Sequence, residues 1–254
     1  MKDLKERLYI ATFSKDAVKV IKENRANIEV NDTCISENLD DIPKIRGIIK
    51  AEIEESGAER VFIHGPFTEI HPAAIDHRIV EAGLVRLNEA YEAIKDFSKD
   101  MVVHSGYVPF IYIPVWQVER SIEFWKEFMK DKPKDFHIYI ENVLEEEPDM
   151  LKEIVKGVAD DRVKICLDVG HANVMMKEGH VYRWVEYLGK DIGHFHIHNN
   201  YGEDDKHLSL GEGAIDYEKF FDVVDKYCDD DVTFTIEDRD CDKSMNWLKE
   251  RGYI

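Results

Sequence analysis

Eight short runs rich in β-branched and aromatic residues recur along the chain, at 8–13, 27–31, 60–65, 101–106, 136–142, 163–170, 192–199 and 232–237. Each reads as a strand. Segments with apolar residues at helical spacing separate them, among them 73–97, 121–129, 150–158, 217–227 and 244–249. Strands alternating with helices argue for a parallel sheet, and eight such units is the number that closes a (β/α)8 barrel. An open doubly wound sheet would carry a glycine-rich phosphate turn after its first strand, and Thr12-Phe13-Ser14-Lys15 is not one. With 254 residues, 44% of them hydrophobic, the chain can fill one such core. A single α/β TIM-barrel domain over 1–254 is therefore expected.

The seventh run is the most informative. His194, His196 and His198 alternate with Phe195 and Ile197, which puts the three imidazoles on one face of a strand, and the following loop carries Asp205-x-His207. Other runs end in ionisable residues too: His64, His104, Glu141, Asp168 with His171 just past it, and Glu237. In a parallel barrel these ends converge on one rim, the face on which this fold builds its sites. Each residue alone has a structural explanation. Asp168 can cap a helix, His171 can bond a turn, His64 can satisfy a loop backbone and Glu237 can pair with Arg239. Together they are expensive to leave unpaired, and divalent ions supply the counter-charge; imidazole mixed with carboxylate suits Zn, Mn, Fe or Co.

Charge narrows the partners. The 53 acids against 34 bases give a formal −19, which repels nucleic acid and anionic membranes and favours a small-molecule substrate. The chain shows no apolar leader and no run of about 18 apolar residues. Cysteines 34, 166, 228 and 241 are scattered without a C-x-x-C. A cytoplasmic protein with reduced thiols follows as the expectation. The acid runs at 145–147 and 229–231 read as solvated faces. The apolar, proline-punctuated loop at 107–116 reads as packing against the barrel top, with a lid or subunit contact as the alternative.

The strings IHGPF, VVHSG, IEN, LDVGH, FHIHNN, DDKHLSLGEG and TIE resemble the successive metal-site motifs of the xylose isomerase-like TIM-barrel superfamily. That superfamily contains sugar and sugar-phosphate isomerases and epimerases together with the endonuclease IV group (AP endonuclease family 2). The resemblance implies a four-ligand metal site of Glu141, Asp168, His196 and Glu237, with Glu141 and Glu237 as the proton-transferring catalytic pair. His171 lies close by. It also implies that His64, His104, His171, Asp205 and His207 correspond to the further ligands of the endonuclease IV group, where three zinc ions act. Motif register places His196, rather than its rival His198, as the strand-seven ligand; His198, Lys206 and Arg239 are left to face substrate.

Two enzymatic readings result. The first is a divalent-metal-dependent isomerase or epimerase of a small sugar, sugar phosphate or polyol, holding one to three ions, Zn or Mn by donor type. The alternative is a multinuclear zinc phosphoesterase, on a small phosphodiester rather than abasic DNA. HSG in place of the nuclease group's HPG, Asn199 in place of Asp, and few rim cations beyond Lys206 and Arg239 weigh against DNA. A non-catalytic barrel that kept the motifs is the third possibility. Substrate identity and oligomeric state have no readable code in the loops at 65–71, 107–116 and 172–180.

Overall fold

The structure, a computed structural model, describes residues 4–254 except Glu69 and Glu178. Residues 1–3, at the charged start of the chain, and those two loop positions lie outside the described residues. Strands β1 (Leu8–Ala11), β2 (Asn27–Val30), β3 (Val61–His64), β4 (Asp100–His104), β5 (His137–Glu141), β6 (Val163–Asp168), β7 (Ile192–Ile197) and β8 (Thr233–Ile236) follow one another round the sheet. All neighbours are parallel, and β8 pairs with β1 to close the barrel. The expected eight-stranded barrel is the observed fold.

Nine α-helices among the described residues surround it: α1 (Ala17–Asn24), α2 (Ile42–Ser56), α3 (His77–Ile94), α4 (Pro114–Met129), α5 (Asp149–Val158), α6 (Val169–Met175), α7 (Tyr182–Leu188), α8 (Tyr217–Tyr227) and α9 (Cys241–Glu250). Capping sets several starts. The Asp76 carboxylate accepts the Arg78 N–H, so α3 begins at His77 and not at 73. Pro114 opens α4, which starts a full two turns before the apolar spacing suggested. None of the helices among the described residues is long and apolar enough to cross a membrane.

Strand alternation divides the interior in two. On β7, Phe195 faces outward and packs between Phe220 and Phe234, at centroid distances of 5.2 Å to each. His194 and His196 face inward. Inside the barrel, Tyr9, Phe62, Val102 and Cys166 form a small apolar layer with Tyr139, on which His194 stacks at 4.3 Å from Phe62. Above this layer, toward the carboxyl ends of the strands, the filling is polar: Glu29, Glu141, Asp168 and His196 are buried there.

Two expectations are corrected. The loop at 107–116 packs only in part: Tyr107, Val108, Tyr112 and Trp116 are half-buried, but Phe110, at a φ of 65°, is fully exposed, and Ile111, Ile113 and Val115 are about two-thirds exposed. A tight turn and the first turn of α4 carry these side chains outward, while Trp116 reaches back, donating its indole N–H to the Ala73 carbonyl at 2.8 Å. The run at 145–147 is not uniformly solvated either. Glu145 is buried and accepts from the Ser105 hydroxyl and the Val143 and Leu144 N–H groups. The four cysteines are unpaired, as expected.

Glu52 on α2 is a local liability. Burial, and then the carboxylates of Asp32 and Glu55, push its pKa up to about 8. A carboxyl whose folded pKa exceeds its unfolded one binds extra protons in the fold, so its contribution worsens as pH rises from about 4.5 to 8. Glu52→Gln should raise the midpoint of thermal unfolding by about 1–3 °C at pH 8, a gain that vanishes near pH 4; melts across that range check it.

Candidate metal centre

The carboxyl ends of the strands bring the nine sequence-identified residues together. Register accounts for much of this. His104 on β4 lies beside Glu141 on β5, and Asp168 on β6 lies beside His196 on β7. Both His64 and His104 turn Nε2 toward Glu141 Oε2, at 3.3 and 3.2 Å. His196 Nδ1 stands 3.1 Å from Glu141 Oε1, 3.3 Å from Glu237 Oε2 and 4.0 Å from Asp168 Oδ2. Beyond Asp168, His171 Nε2 and His207 Nε2 meet Asp205 Oδ2 at 3.3 and 2.9 Å.

Five groups of donors result among the described residues, each with its ligand atoms within 4.8 Å of one another: His64, His104 and Glu141; Glu141, Asp168, His196 and Glu237; His171, His198, Asp205 and His207; Glu29, His64, His196 and Glu237; and Cys166, His194 and His196. Glu141 belongs to two of them. The local roles foreseen for single residues coexist with this convergence. Asp168 does cap α6, accepting the His171 N–H on Oδ1 at 2.6 Å, and still turns Oδ2 toward His198.

The histidines are oriented by their second nitrogens. His64 Nδ1 sits 3.0 Å from the Gly65 carbonyl, His171 Nδ1 2.9 Å from the Asn142 carbonyl, and His207 Nδ1 against the Glu237 carbonyl. A carbonyl can only accept, so each Nδ1 carries a proton, and each Nε2 is turned to the carboxylates. This is how metal-ligating imidazoles are usually held.

Proton affinities follow from this crowding. Burial pushes Glu141 up, but His196 and His104 hold it well below the usual carboxylate range. Burial disfavours charge on His171 and His196, yet surrounding anions, Asp168 foremost for His171, raise both well above the usual imidazole value. Against burial, Asp205 lifts His207 to about 9. His104, for which burial dominates, moves down. Among the described residues no Lys or Arg pairs with Glu29, Glu141, Asp168, Asp205 or Glu237, so imidazoles alone neutralise them. Glu141 Oε2 and His198 Nδ1 are buried without a hydrogen bond of proper geometry. Mixed N and O donors, Nε2 atoms that no backbone group engages and these unsatisfied atoms fit a divalent ion of the Zn or Mn type, which would take the place of the imidazole protons.

Of the three residues assigned to substrate, His198 is the one that does not lie at the surface. His198 is wholly buried, its ring stacked on His207 at 3.9 Å and its Nε2 3.1 Å from Asp168 Oδ2, so it sits among the ligand atoms instead of on the open rim. Lys206 pairs with Asp204 at 3.1 Å. Arg239 is exposed, and its backbone N–H donates to the His207 carbonyl. One buried residue escaped the sequence reading: Glu29 on β2, whose Oε1 lies 3.2 Å from His196 Nε2. Its surroundings in the sequence, NIEV, are those of any strand, and only its place in a closed barrel shows that it points at β7.

Residues 31–251 match the family described as xylose isomerase-like TIM barrel, and the chain belongs to that family. It is 29% identical over 215 residues to the uncharacterised protein MJ1311 of Methanocaldococcus jannaschii, spanning 78% of this chain and 72% of that one. Its fold is similar to that of a D-tagatose 3-epimerase-like protein over 96% of both chains, with a TM-score of 0.77 and 24% identity. It is also similar to D-allulose 3-epimerase from Methylomonas sp. in complex with D-allulose, over 98% of this chain and 99% of that one, with a TM-score of 0.72 and 15% identity.

Gly170 leaves no room for a side chain, because a Cβ there would stand 2.0 Å from His198 Cε1. Gly170→Ala should displace His198, cost about 1–3 kcal/mol from overpacking and disrupt the His171, His198, Asp205 and His207 group. Thermal unfolding and elemental analysis of bound metal would both report it, and an unchanged melt with full metal content would contradict the assignment.

Proposed function

We propose that the chain is a divalent-metal-dependent epimerase or isomerase of a small sugar, sugar phosphate or related polyol. The observation that carries this reading is the convergence of Glu141 and Glu237 on one atom, His196 Nδ1, at 3.1 and 3.3 Å, both carboxylates buried at the carboxyl ends of their strands. Two carboxylates bracketing one position is the arrangement needed to remove a proton from one face of a carbon and return one to the other. Glu141, Asp168, His196 and Glu237 would hold the ion, which would polarise a substrate carbonyl and its neighbouring hydroxyl. Burial of the pair keeps bulk water from competing for the proton. The D-allulose 3-epimerase and the D-tagatose 3-epimerase-like protein that share this fold support the substrate class, and the −19 charge disfavours a polyanionic substrate such as DNA.

A second reading has its own observation. The donors beyond the four-residue set, namely His64, His104, His171, Asp205 and His207, complete two further ligand groups, as a multinuclear phosphodiesterase acting on a small phosphodiester would require.

One experiment separates the two. Chain purified without chelator and loaded with Zn or Mn is incubated in D2O with a panel of ketoses and their phosphates. Deuterium should enter a carbon next to the carbonyl, stop on chelation, and slow by about 10²–10⁴-fold in Glu237→Gln. Metal is counted in parallel on the wild type, His64→Ala and His104→Ala. Two or three ions that fall with those histidines, together with no exchange on any sugar and cleavage of a small phosphodiester, would overturn the epimerase reading in favour of the second.

A further inference from the structure

The described residues include an apolar face that neither reading uses. The loops after β3 and β4 run side by side there: the Tyr112 ring lies 6.5 Å from that of His71, and the Trp116 indole bonds the Ala73 carbonyl. Phe110 is fully exposed on this face, Ile75 is 85% exposed, and Ile111, Ile113 and Val115 stand about two-thirds in solvent. At about 150–200 Å² for each large apolar residue wholly in water, these five present roughly 700 Å². That exceeds the roughly 300–600 Å² of the largest patch on a typical monomer and approaches the roughly 800 Å² that each partner gives to a standard interface.

A groove of about 280 Å³ between α3 and α4 adjoins the exposed side chains, lined by Pro72, Ala74, Ile75, Val80, Leu84 and Phe124. Ile75 belongs to both features, so a protrusion and a hollow share one face. The protrusion is held out by the backbone: Phe110 sits at a φ of 65°, an uncommon conformation for a bulky residue. In a lone chain that turn only brings an aromatic ring into water, and burying the ring against an apolar surface would recover its transfer energy.

Charge decides what can cover this face. Residues 107–118 include no Asp, Glu, Lys or Arg, in a chain of which 34% is charged. Two copies at −19 each repel, and they can approach closely only where that charge is absent. A basic partner would be drawn to the acidic remainder instead. The edge of the groove carries both signs, with Arg120 2.9 Å from Glu123 and Glu127 one turn further on α4, so a two-fold contact there need not set like charges against each other. A protrusion beside a hollow also meets the requirement of two-fold symmetry, that one patch be complementary to itself.

We propose that this face is the contact between two copies of the chain, with Phe110 and Ile111 of each seated in the α3–α4 groove of the other. The contact is made by the loops that follow His64 and His104, and so braces that side of the metal centre. It is independent of which ion the centre holds and which reaction it performs.

The test is the mass of the full chain in solution, read by sedimentation equilibrium at about 1–100 µM, a range that reports micromolar association. Wild-type protein should run at twice the chain mass. Phe110→Ser and Ile111→Glu replace side chains that stand in solvent, so the fold and its thermal midpoint should be kept while association weakens by about 100-fold or more. Ile111→Lys lowers the repulsion between copies yet places a charge in the same apolar seat, and it should dissociate the pair as Ile111→Glu does. A larger closed assembly that falls to smaller units in all three variants would support the same contact. Wild-type chain that stays monomeric at about 100 µM would overturn the proposal, as would an oligomer that survives these substitutions or one that Ile111→Lys leaves intact.

Discussion

Four buried carboxylates, Glu29, Glu141, Asp168 and Glu237, and a fifth at the surface, Asp205, converge at one end of this barrel, with no lysine or arginine of the described residues among their ion-pair partners. Burial of an unpaired carboxylate is among the most expensive things a fold can do. Everything near the rim answers that cost. Six imidazoles are turned toward the acids; backbone carbonyls of Gly65, Asn142 and Glu237 take the spare protons of three of them; and Asn142 bonds the Asp168 backbone in both directions, at 2.9 Å each, to hold β6 against β5. The apolar layer of Tyr9, Phe62, Val102 and Cys166 confines the polar filling to the upper half of the barrel. The remaining stability comes from the outer core between strands and helices.

Much of this was legible in the sequence because two periodicities carry it. Strand alternation alone sends His194 and His196 inward and Phe195 outward, and eight β and α alternations lead to a closed parallel sheet whose strand ends share a rim. The ligand groups followed because strand ends are short, polar and distinct from the runs that precede them. What the sequence hid was depth. Glu29 lies one residue inside a strand, where nothing in NIEV marks it as facing a histidine 167 positions later. His198 had the same alternation as His196, yet it falls just past the end of β7, under Gly170, and joins a different group of donors.

Loops were the least legible part, for a related reason. The run 107–116 is apolar enough to suggest a buried segment, but its two prolines and the left-handed Phe110 turn its side chains to solvent. Conversely, Glu145 sits in a run of three acids and is buried because Ser105 and two backbone N–H groups happen to face it. Composition reports the average environment of a segment; it cannot report which single member of the run finds a partner.

The double membership of Glu141 has a thermodynamic consequence. One oxygen serves His64 and His104 while the other serves His196, so whatever occupies the first group changes the charge and tilt of a ligand in the second. Ions held at both positions would therefore be coupled through Glu141, and the coupling would be reciprocal: if the first occupant strengthens the second, the second strengthens the first by the same factor. With positive coupling, such a site would respond to cation availability as one unit, with a threshold set by the pair instead of by either ligand group alone.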